Sequence, residues 1–370
     1  MSFVPPLSDI RQMMAEAAPD AINLAIGEPV FPAPQGLLDY VSKNVQHWRL
    51  GYSENRGLAS LRETLADKIY PGFSPEQICI TNGAQGALFA ACHSLFSAGD
   101  EVLVPNPGFL AYGNLVRMTG AQPVPYAVPA GSWEQLDTDA LKKCIGPACK
   151  GIILNSPANP TGVSFDAQEL ASIAGLCEQH NLIAITDEVY RDLYYGAEPP
   201  PSIAAFTEKA IVISSISKKF SMTGWRVGWM CGPDEIVSRA VRVQQYIATC
   251  TSVPAQYAAR YVLEGHVDED VVSMRETLKQ RRDLLAGALK GAKWEFETAE
   301  AGLFHFARPA AKPESSFDYA RVLSRDYKLI CIPGLAFGER GEGFLRLSFA
   351  APEDDLHAAA RILESIAASL

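Results

Sequence analysis

Six short apolar runs recur through the first two thirds of this chain, at 77–81, 101–105, 151–155, 182–187, 210–214 and 226–230. Runs this apolar suit strands covered on both faces, as in a mostly parallel sheet. Helix-compatible segments such as 84–97 and 167–180 lie between them, so the pattern predicts an α/β fold with helices on both sides of the sheet. Polar residues stand where the runs stop: Asn82-Gly83, Asn155, Asp187 and Ser215-Ile216-Ser217-Lys218. In open α/β sheets ligands bind along that carboxyl edge. One such residue is an ordinary turn former, but several together predict a site.

Beyond Gly232-Pro233 the texture changes. From 234 to about 290 the pattern is helical, with Pro254 and Gly265 as the main breakers, and 268–285 reads as a long amphipathic connecting helix. The remainder mixes short strands, among them 343–349, with helices. A length of 370 residues favours two domains. The expected division is an N-terminal arm over 1–40 that joins the small domain, a large domain over 41–275, and a smaller α+β domain over 276–370.

With Lys plus Arg at 32 and Asp plus Glu at 42 the net charge is −10, which argues against nucleic acid or an anionic membrane as a partner. No stretch reaches the ~18 apolar residues of a membrane span. The segment 1–9 has two prolines and no basic residue, unlike a secretory signal. Eight scattered cysteines, with Cys144 and Cys149 the nearest pair, fit reduced structural thiols in a cytoplasmic protein better than a zinc site.

Lys218 carries the sharpest signal. It sits in Ser215-Ile216-Ser217-Lys218-Lys219, with Arg226 eight residues on. A lysine amine beside hydroxyls and an arginine fork is what a phosphate-bearing aldehyde cofactor requires: the amine forms a Schiff base, and Arg226 with Ser215 and Ser217 holds the phosphate. Asp187 ends an apolar run, where a carboxylate needs a partner, and a protonated pyridine nitrogen would serve. Tyr190 is placed to reach a ring hydroxyl. The loop Asn155-Ser156-Pro157-Ala158-Asn159-Pro160-Thr161-Gly162 has two X-Pro bonds that favour cis peptides. Gly83-Ala84-Gln85, between a strand and a helix, offers backbone amides to a phosphate. Arg346, in an apolar strand, needs an anion, either a structural carboxylate or a substrate's.

These motifs, Asn159-Pro160-Thr161-Gly162, Asp187-Glu188-Val189-Tyr190, Ser215 to Lys218 with Gly224-Trp225-Arg226-Val227-Gly228, and Arg346-Leu347-Ser348, occur in the order found in fold-type I pyridoxal-phosphate (PLP) aminotransferases of class I/II, the aspartate aminotransferase-like superfamily. The chain resembles that family from Ile22 to Ser348. The resemblance implies pyridoxal 5'-phosphate as cofactor, Lys218 as the internal aldimine and proton shuttle, Asp187 on the pyridine nitrogen, and Tyr190 and Asn159 on the ring hydroxyl. It further implies Arg346, Asn159 and the Gly27 backbone on the substrate α-carboxylate, and Phe109 stacked on the ring. Ser215, Arg226 and the Gly83-Ala84-Gln85 amides would hold the phosphate, and Tyr52 would cross to the neighbouring subunit's phosphate in a homodimer.

The implied reaction is ping-pong transfer of an amino group from an L-amino acid to a 2-oxo acid such as 2-oxoglutarate or pyruvate. Phe31, Tyr112, Phe304 and His305 are expected to line the side-chain pocket, favouring a neutral or aromatic donor. A cysteine-conjugate β-lyase and an aspartate aminotransferase are the alternatives on the same scaffold. A PLP-binding regulator fused to a DNA-binding domain is disfavoured, since the matching arm begins near residue 1 and the charge is −10.

Overall fold

The structure is a computed structural model that describes residues 3–7, 13–15, 18–129 and 135–368. Parts of the segment read above as lacking a secretory signal, and of the 1–40 arm, lie outside the described residues.

The central sheet has seven strands: β1 (Ile78–Thr81), β2 (Glu101–Asn106), β3 (Gln122–Ala127), β4 (Cys149–Asn155), β5 (Ile183–Asp187), β6 (Ala210–Ser215) and β7 (Gly228–Cys231). Their order is β1-β7-β6-β5-β4-β2-β3, and β7 alone runs against its neighbours. All six predicted runs are strands of this sheet. The seventh, β3, carries Pro123 and Pro125 and sits at an edge, paired only with β2. Proline cannot donate to a ladder, so an edge is where such a strand survives.

The strands are buried on both faces because helices cover both. One layer packs the helices Gly83–Leu95, Ala111–Met118 and Asp234–Ala248 against Ile153, Ile185, Ile211 and Ile213. The opposite layer packs Ala167–His180 against Ile152, Leu154 and Ala184. That helix spans the predicted range because its ends are encoded locally. Asp166 Oδ1 accepts from the Glu169 amide at 2.8 Å, Glu169 Oε2 accepts from the Asp166 amide at 2.9 Å, and Asn181 closes the helix in the left-handed conformation at φ 52°.

The second body is a four-stranded antiparallel sheet of β8 (Glu295–Phe296), β9 (Phe304–Arg308), β10 (Ile332–Pro333) and β11 (Leu345–Ser348), ordered β10-β11-β9-β8. The helices Asp268–Gly291 and Glu353–Ala368 pack together over a core of Leu278, Leu285, Leu289, Leu347, Leu356 and Leu363. The N-terminal chain joins this body: Ile22–Asn23 pairs in parallel with Leu329–Ile330, and Leu24 is fully buried in the same core. The expected boundary at 275/276 falls within the unbroken helix Asp268–Gly291.

Candidate active site

β4 and β5 end in register, and β6 runs two residues beyond them. Asn155 is opposite Asp187, and Asp187 is opposite Ile213, two residues before Ser215. Their last side chains therefore share one edge, where a cavity of about 380 Å³ opens between the large sheet and the small body. Of the residues singled out from the sequence, Gly27, Ala84, Gln85, Phe109, Asn159 and Asp187 line it. So do Tyr190, Ser215, Ser217, Lys218, Arg226 and Arg346.

Lys218 lies in the short helix Ile216–Lys219, whose N-cap Ser215 accepts the Ser217 amide on its hydroxyl at 3.3 Å. Its Nζ donates to the Gly27 carbonyl at 2.7 Å and lies 6.0 Å from the Tyr190 ring centre. Burial drives the amine from 10.5 down to about 8; Glu28 and Asp187 pull it back up, while Arg346 and Arg226 push it further down. The half-buried amine is thus a workable nucleophile and base near neutral pH, while its tip still faces the cavity.

Asp187 is buried with no cationic side chain bonded to it among the described residues. Tyr112 Oη donates to its Oδ2 at 2.9 Å, and the Val189 amide donates to Oδ1 at 3.3 Å. Burial raises this carboxyl to about 6 against the pull of the Tyr112 hydroxyl, the Val189 amide and Lys218. Asn155 braces the same corner: its Nδ2 donates to the Asp187 carbonyl at 2.9 Å and the Pro157 carbonyl at 3.1 Å, and its Oδ1 accepts the Asn159 amide at 2.8 Å. The Ser156-Pro157 and Asn159-Pro160 bonds are both cis, and so is Asn106-Pro107.

Arg346 is 2% exposed, yet no carboxylate pairs with it among the described residues. Nη1 donates to Asn159 Oδ1 at 3.0 Å, Nη2 donates to the Ala25 carbonyl at 2.7 Å, and Nε has no partner. The guanidinium lies 4.1 Å from the Phe304 ring centre and 5.1 Å from that of Phe337. Burial lowers it to about 10, with Tyr190 opposing.

Opposite lies an anion cradle. The helix Gly83–Leu95 begins at this edge, so its first amides face the cavity. Arg226, at φ 55°, donates from Nη1 to the Thr223 carbonyl at 2.8 Å and lies against Gly83. Two glycines make this packing possible. A Cβ at Gly83, at φ 71°, would stand 2.5 Å from Arg226 Nη2; one at Gly228 would stand 2.4 Å from the Gly83 carbonyl carbon.

The structure corrects part of the sequence reading. Phe31 lines a neighbouring cavity behind the lysine loop, beneath the Arg281 guanidinium at 4.8 Å. Phe304 is fully buried as the shelf under Arg346. His305 is fully buried, with Nε2 3.1 Å from the Arg282 carbonyl, and burial pushes its ring down to about 4. Only Tyr112, of the four expected pocket residues, lines the cavity, and its hydroxyl is committed to Asp187. Gly27, expected beside the carboxylate grip, offers its carbonyl to Lys218. Tyr52 does not reach the cavity of its own chain and is 82% exposed. Sequence reasoning missed Met14, Ile26, Glu28 and Thr223 on the cavity wall. Ile26 and Glu28 lie in irregular chain, Thr223 in a single 3-10 turn and Met14 in a short helical stretch, too little regular structure for a periodic pattern to mark them.

The residues fit pyridoxal phosphate on grounds internal to the structure. They supply a buried carboxylate without a cation, a helix N-terminus beside an arginine, and a lysine amine held between them. Such an arrangement holds the groups that a phosphate-bearing aldehyde cofactor would require.

Comparisons with known proteins carry this further. A family model described as aminotransferase class I and II matches residues 19–363. A probable aspartate aminotransferase of Methanocaldococcus jannaschii is 32% identical over 370 residues, covering 97% of this chain and 96% of the relative. Aromatic-amino-acid aminotransferase 2 of Thermococcus litoralis is 31% identical, covering 97% and 95%. The crystal structure of an aromatic aminotransferase from Pyrococcus horikoshii matches with a TM-score of 0.91 at 31% identity, covering 97% of this chain and 99% of that one. The chain belongs to the class I and II aminotransferases, the fold-type I enzymes that use pyridoxal 5'-phosphate.

Proposed function

We propose that this enzyme transfers the amino group of a neutral or aromatic L-amino acid to a 2-oxo acid such as 2-oxoglutarate or pyruvate, in ping-pong fashion, with Lys218 moving the proton. The observation that carries the reading is the buried Arg346 guanidinium, which has no carboxylate partner among the described residues and faces the same cavity as Lys218. A buried cation without a counter-ion is costly, and a substrate α-carboxylate would relieve that cost through two parallel hydrogen bonds.

Pyridoxal phosphate, when bound, supplies an aldehyde that takes up the donor's amino group and a ring that accepts the electron pair released at Cα. Asp187 would hold the pyridine nitrogen, Tyr190 and Asn159 the ring hydroxyl, and Phe109 would cover the ring. Ser215, Ser217, Arg226 and the Gly83-Ala84-Gln85 amides would hold the phosphate. Arg346 and Asn159 fix the carboxylate, so that the donor's Cα–H faces Lys218. Lys218 Nζ would take the proton from Cα and give it up at the cofactor's former aldehyde carbon, on the other side of the amino nitrogen, because burial leaves a fraction of the amine uncharged at neutral pH.

Two observations support the donor class. The three cations on the cavity wall already have these assignments, and Met14, Ile26, Leu88 and Tyr112 supply apolar surface. Relatives include enzymes named for aspartate and for aromatic amino acids, so the choice is testable. Measuring kcat/KM for phenylalanine, methionine, alanine and aspartate decides it: a large preference for aspartate overturns the donor assignment. Pyruvate and ammonia released without an oxo-acid acceptor would instead favour a β-lyase.

The exposed Tyr52 supports a homodimer in which each chain completes its partner's phosphate site. Eight free thiols and an acidic surface fit the cytoplasm, and no helix among the described residues is long and apolar enough to cross a membrane. The same reading takes 1–40, 41–275 and 276–370 as arm, large and small units.

A further inference from the structure

The loop that carries Lys218 is stitched to the N-terminal chain by hydrogen bonds that the reaction above does not use. Lys218 Nζ donates to the Gly27 carbonyl at 2.7 Å. Thr223 Oγ1 donates to Glu28 Oε2. Ser221 Oγ faces the Pro29 carbonyl at 2.9 Å and the Phe31 carbonyl at 3.0 Å, sharing its one proton between them. Two residues before Gly27, the Ala25 carbonyl accepts from Arg346 Nη2 at 2.7 Å. Residues 25–31 therefore touch both the proposed carboxylate grip and the lysine loop. Their anchorage lies in the small body, through Ile22–Asn23 and the buried Leu24. Ser221 is held at φ 53°, a backbone state that ordinary residues avoid without support. The two carbonyls that fix its hydroxyl supply that support.

We propose that residues 25–31 form a strap that sets where Lys218 stands, with Thr223 and Ser221 as positioning residues acting through the Glu28 carboxylate and the Pro29 and Phe31 carbonyls. The proposal rests on the reading of Lys218 as the group that moves the proton. Proton transfer tolerates little displacement of the base, so loosening the strap should slow turnover more than it weakens substrate binding. The Glu28 charge also faces the lysine, so the strap tunes the amine as well as placing it.

Thr223→Val removes the hydroxyl at nearly constant volume, Thr223→Ser keeps it, and Ser221→Ala cuts the second tie. Two readouts are needed. The first is the rate at which an amine-reactive reagent labels Lys218 in the folded, cofactor-free full chain, followed by peptide mass spectrometry. The second is kcat and KM of the holoenzyme. Thr223→Val and Ser221→Ala should each label roughly tenfold faster and lower kcat roughly tenfold, with KM changed less than about twofold. Thr223→Ser should stay near wild type in both. Wild-type labelling and kcat in Thr223→Val overturn the strap, and so does a Thr223→Ser variant as impaired as Thr223→Val, which marks simple packing. Full turnover in Lys218→Ala would sink the role of the lysine itself, while the labelling readout would still report on the strap.

Discussion

Tyr112 Oη donates to Asp187 Oδ2 at 2.9 Å, joining residues 75 apart in the chain. The bond occupies one lone pair of a buried carboxylate and holds its ionised form against the cost of burial. The same tyrosine packs edge-on to Phe109, with ring centres 5.6 Å apart. One side chain thus steadies both the ring's expected acidic partner and its expected aromatic cover.

Tyr112→Phe removes a hydrogen bond that lowers the Asp187 pKa, so that pKa should rise above about 6. The acid limb of the kcat/KM–pH profile should move up by about one unit, with turnover retained at pH 8.

Asp187→Asn tests the burial cost directly in the cofactor-free protein. Between 3.8 and about 6 the folded chain holds more protons at Asp187 than the unfolded chain, so the contribution of this group to stability falls as pH rises through that window. The variant should therefore gain stability over wild type at pH 7, by an amount on the order of 2 kcal/mol, and gain little at pH 4. Thermal melts at the two pH values check the sign. Cofactor affinity should fall at the same time.

Arg346→Lys should raise KM for the amino donor by roughly a hundredfold and leave cofactor loading unchanged. An ammonium cannot span Asn159 Oδ1 and the Ala25 carbonyl while lying flat on Phe304, so the retained charge does not rescue the contact. Steady-state kinetics alongside the holoenzyme absorbance separate the two effects.

Gly83→Ala and Gly228→Ala should differ in kind. The first meets the guanidinium of Arg226 and puts a side chain at φ 71°, so it should raise the cofactor Kd about tenfold and cost about 1 kcal/mol of stability. The second drives a Cβ into backbone at 2.4 Å and should cost several kcal/mol of stability, read as a loss of Tm.

In the proposed homodimer Tyr52 should act only across the interface. Chains carrying Tyr52→Phe should bind cofactor about tenfold more weakly, as expected for a lost bond to a charged group. Mixing them with Lys218→Ala chains should restore full affinity at the intact-lysine sites, because the partner then supplies Tyr52. Titration of purified hybrid dimers measures it, and no recovery would place Tyr52 in its own chain's site or outside any site.

What the sequence made legible followed from local rules. Strands β4, β5 and β6 are apolar on both faces and stop at Asn155, Asp187 and Ser215, so both the sheet and its reactive edge could be read from one dimension. β3 escaped because Pro123 and Pro125 disguise a strand that only an edge tolerates. The pocket walls escaped for another reason. Phe304 and His305 alternate along β9 like any buried strand residues, and nothing local tells that one supports Arg346 while the other turns to the Arg282 carbonyl. Tyr112, three residues after Phe109, was visible as an aromatic, but its bond to Asp187 exists only once β2 and β5 lie in one sheet.

The pairing of Ile22–Asn23 with Leu329–Ile330 is only two residues long, yet it suspends the wall that includes Ile26 over a cavity whose reactive edge is pinned by a seven-stranded ladder. The two halves of the site are therefore unequally free to vary. Cavity-facing side chains of the suspended segment, such as Ile26, should tolerate exchange better than the buried Leu24 beside them or the residues of the sheet edge. Side chains such as Ile26 can change on this scaffold while the carbonyls of Ala25 and Gly27 go on holding Arg346 and Lys218.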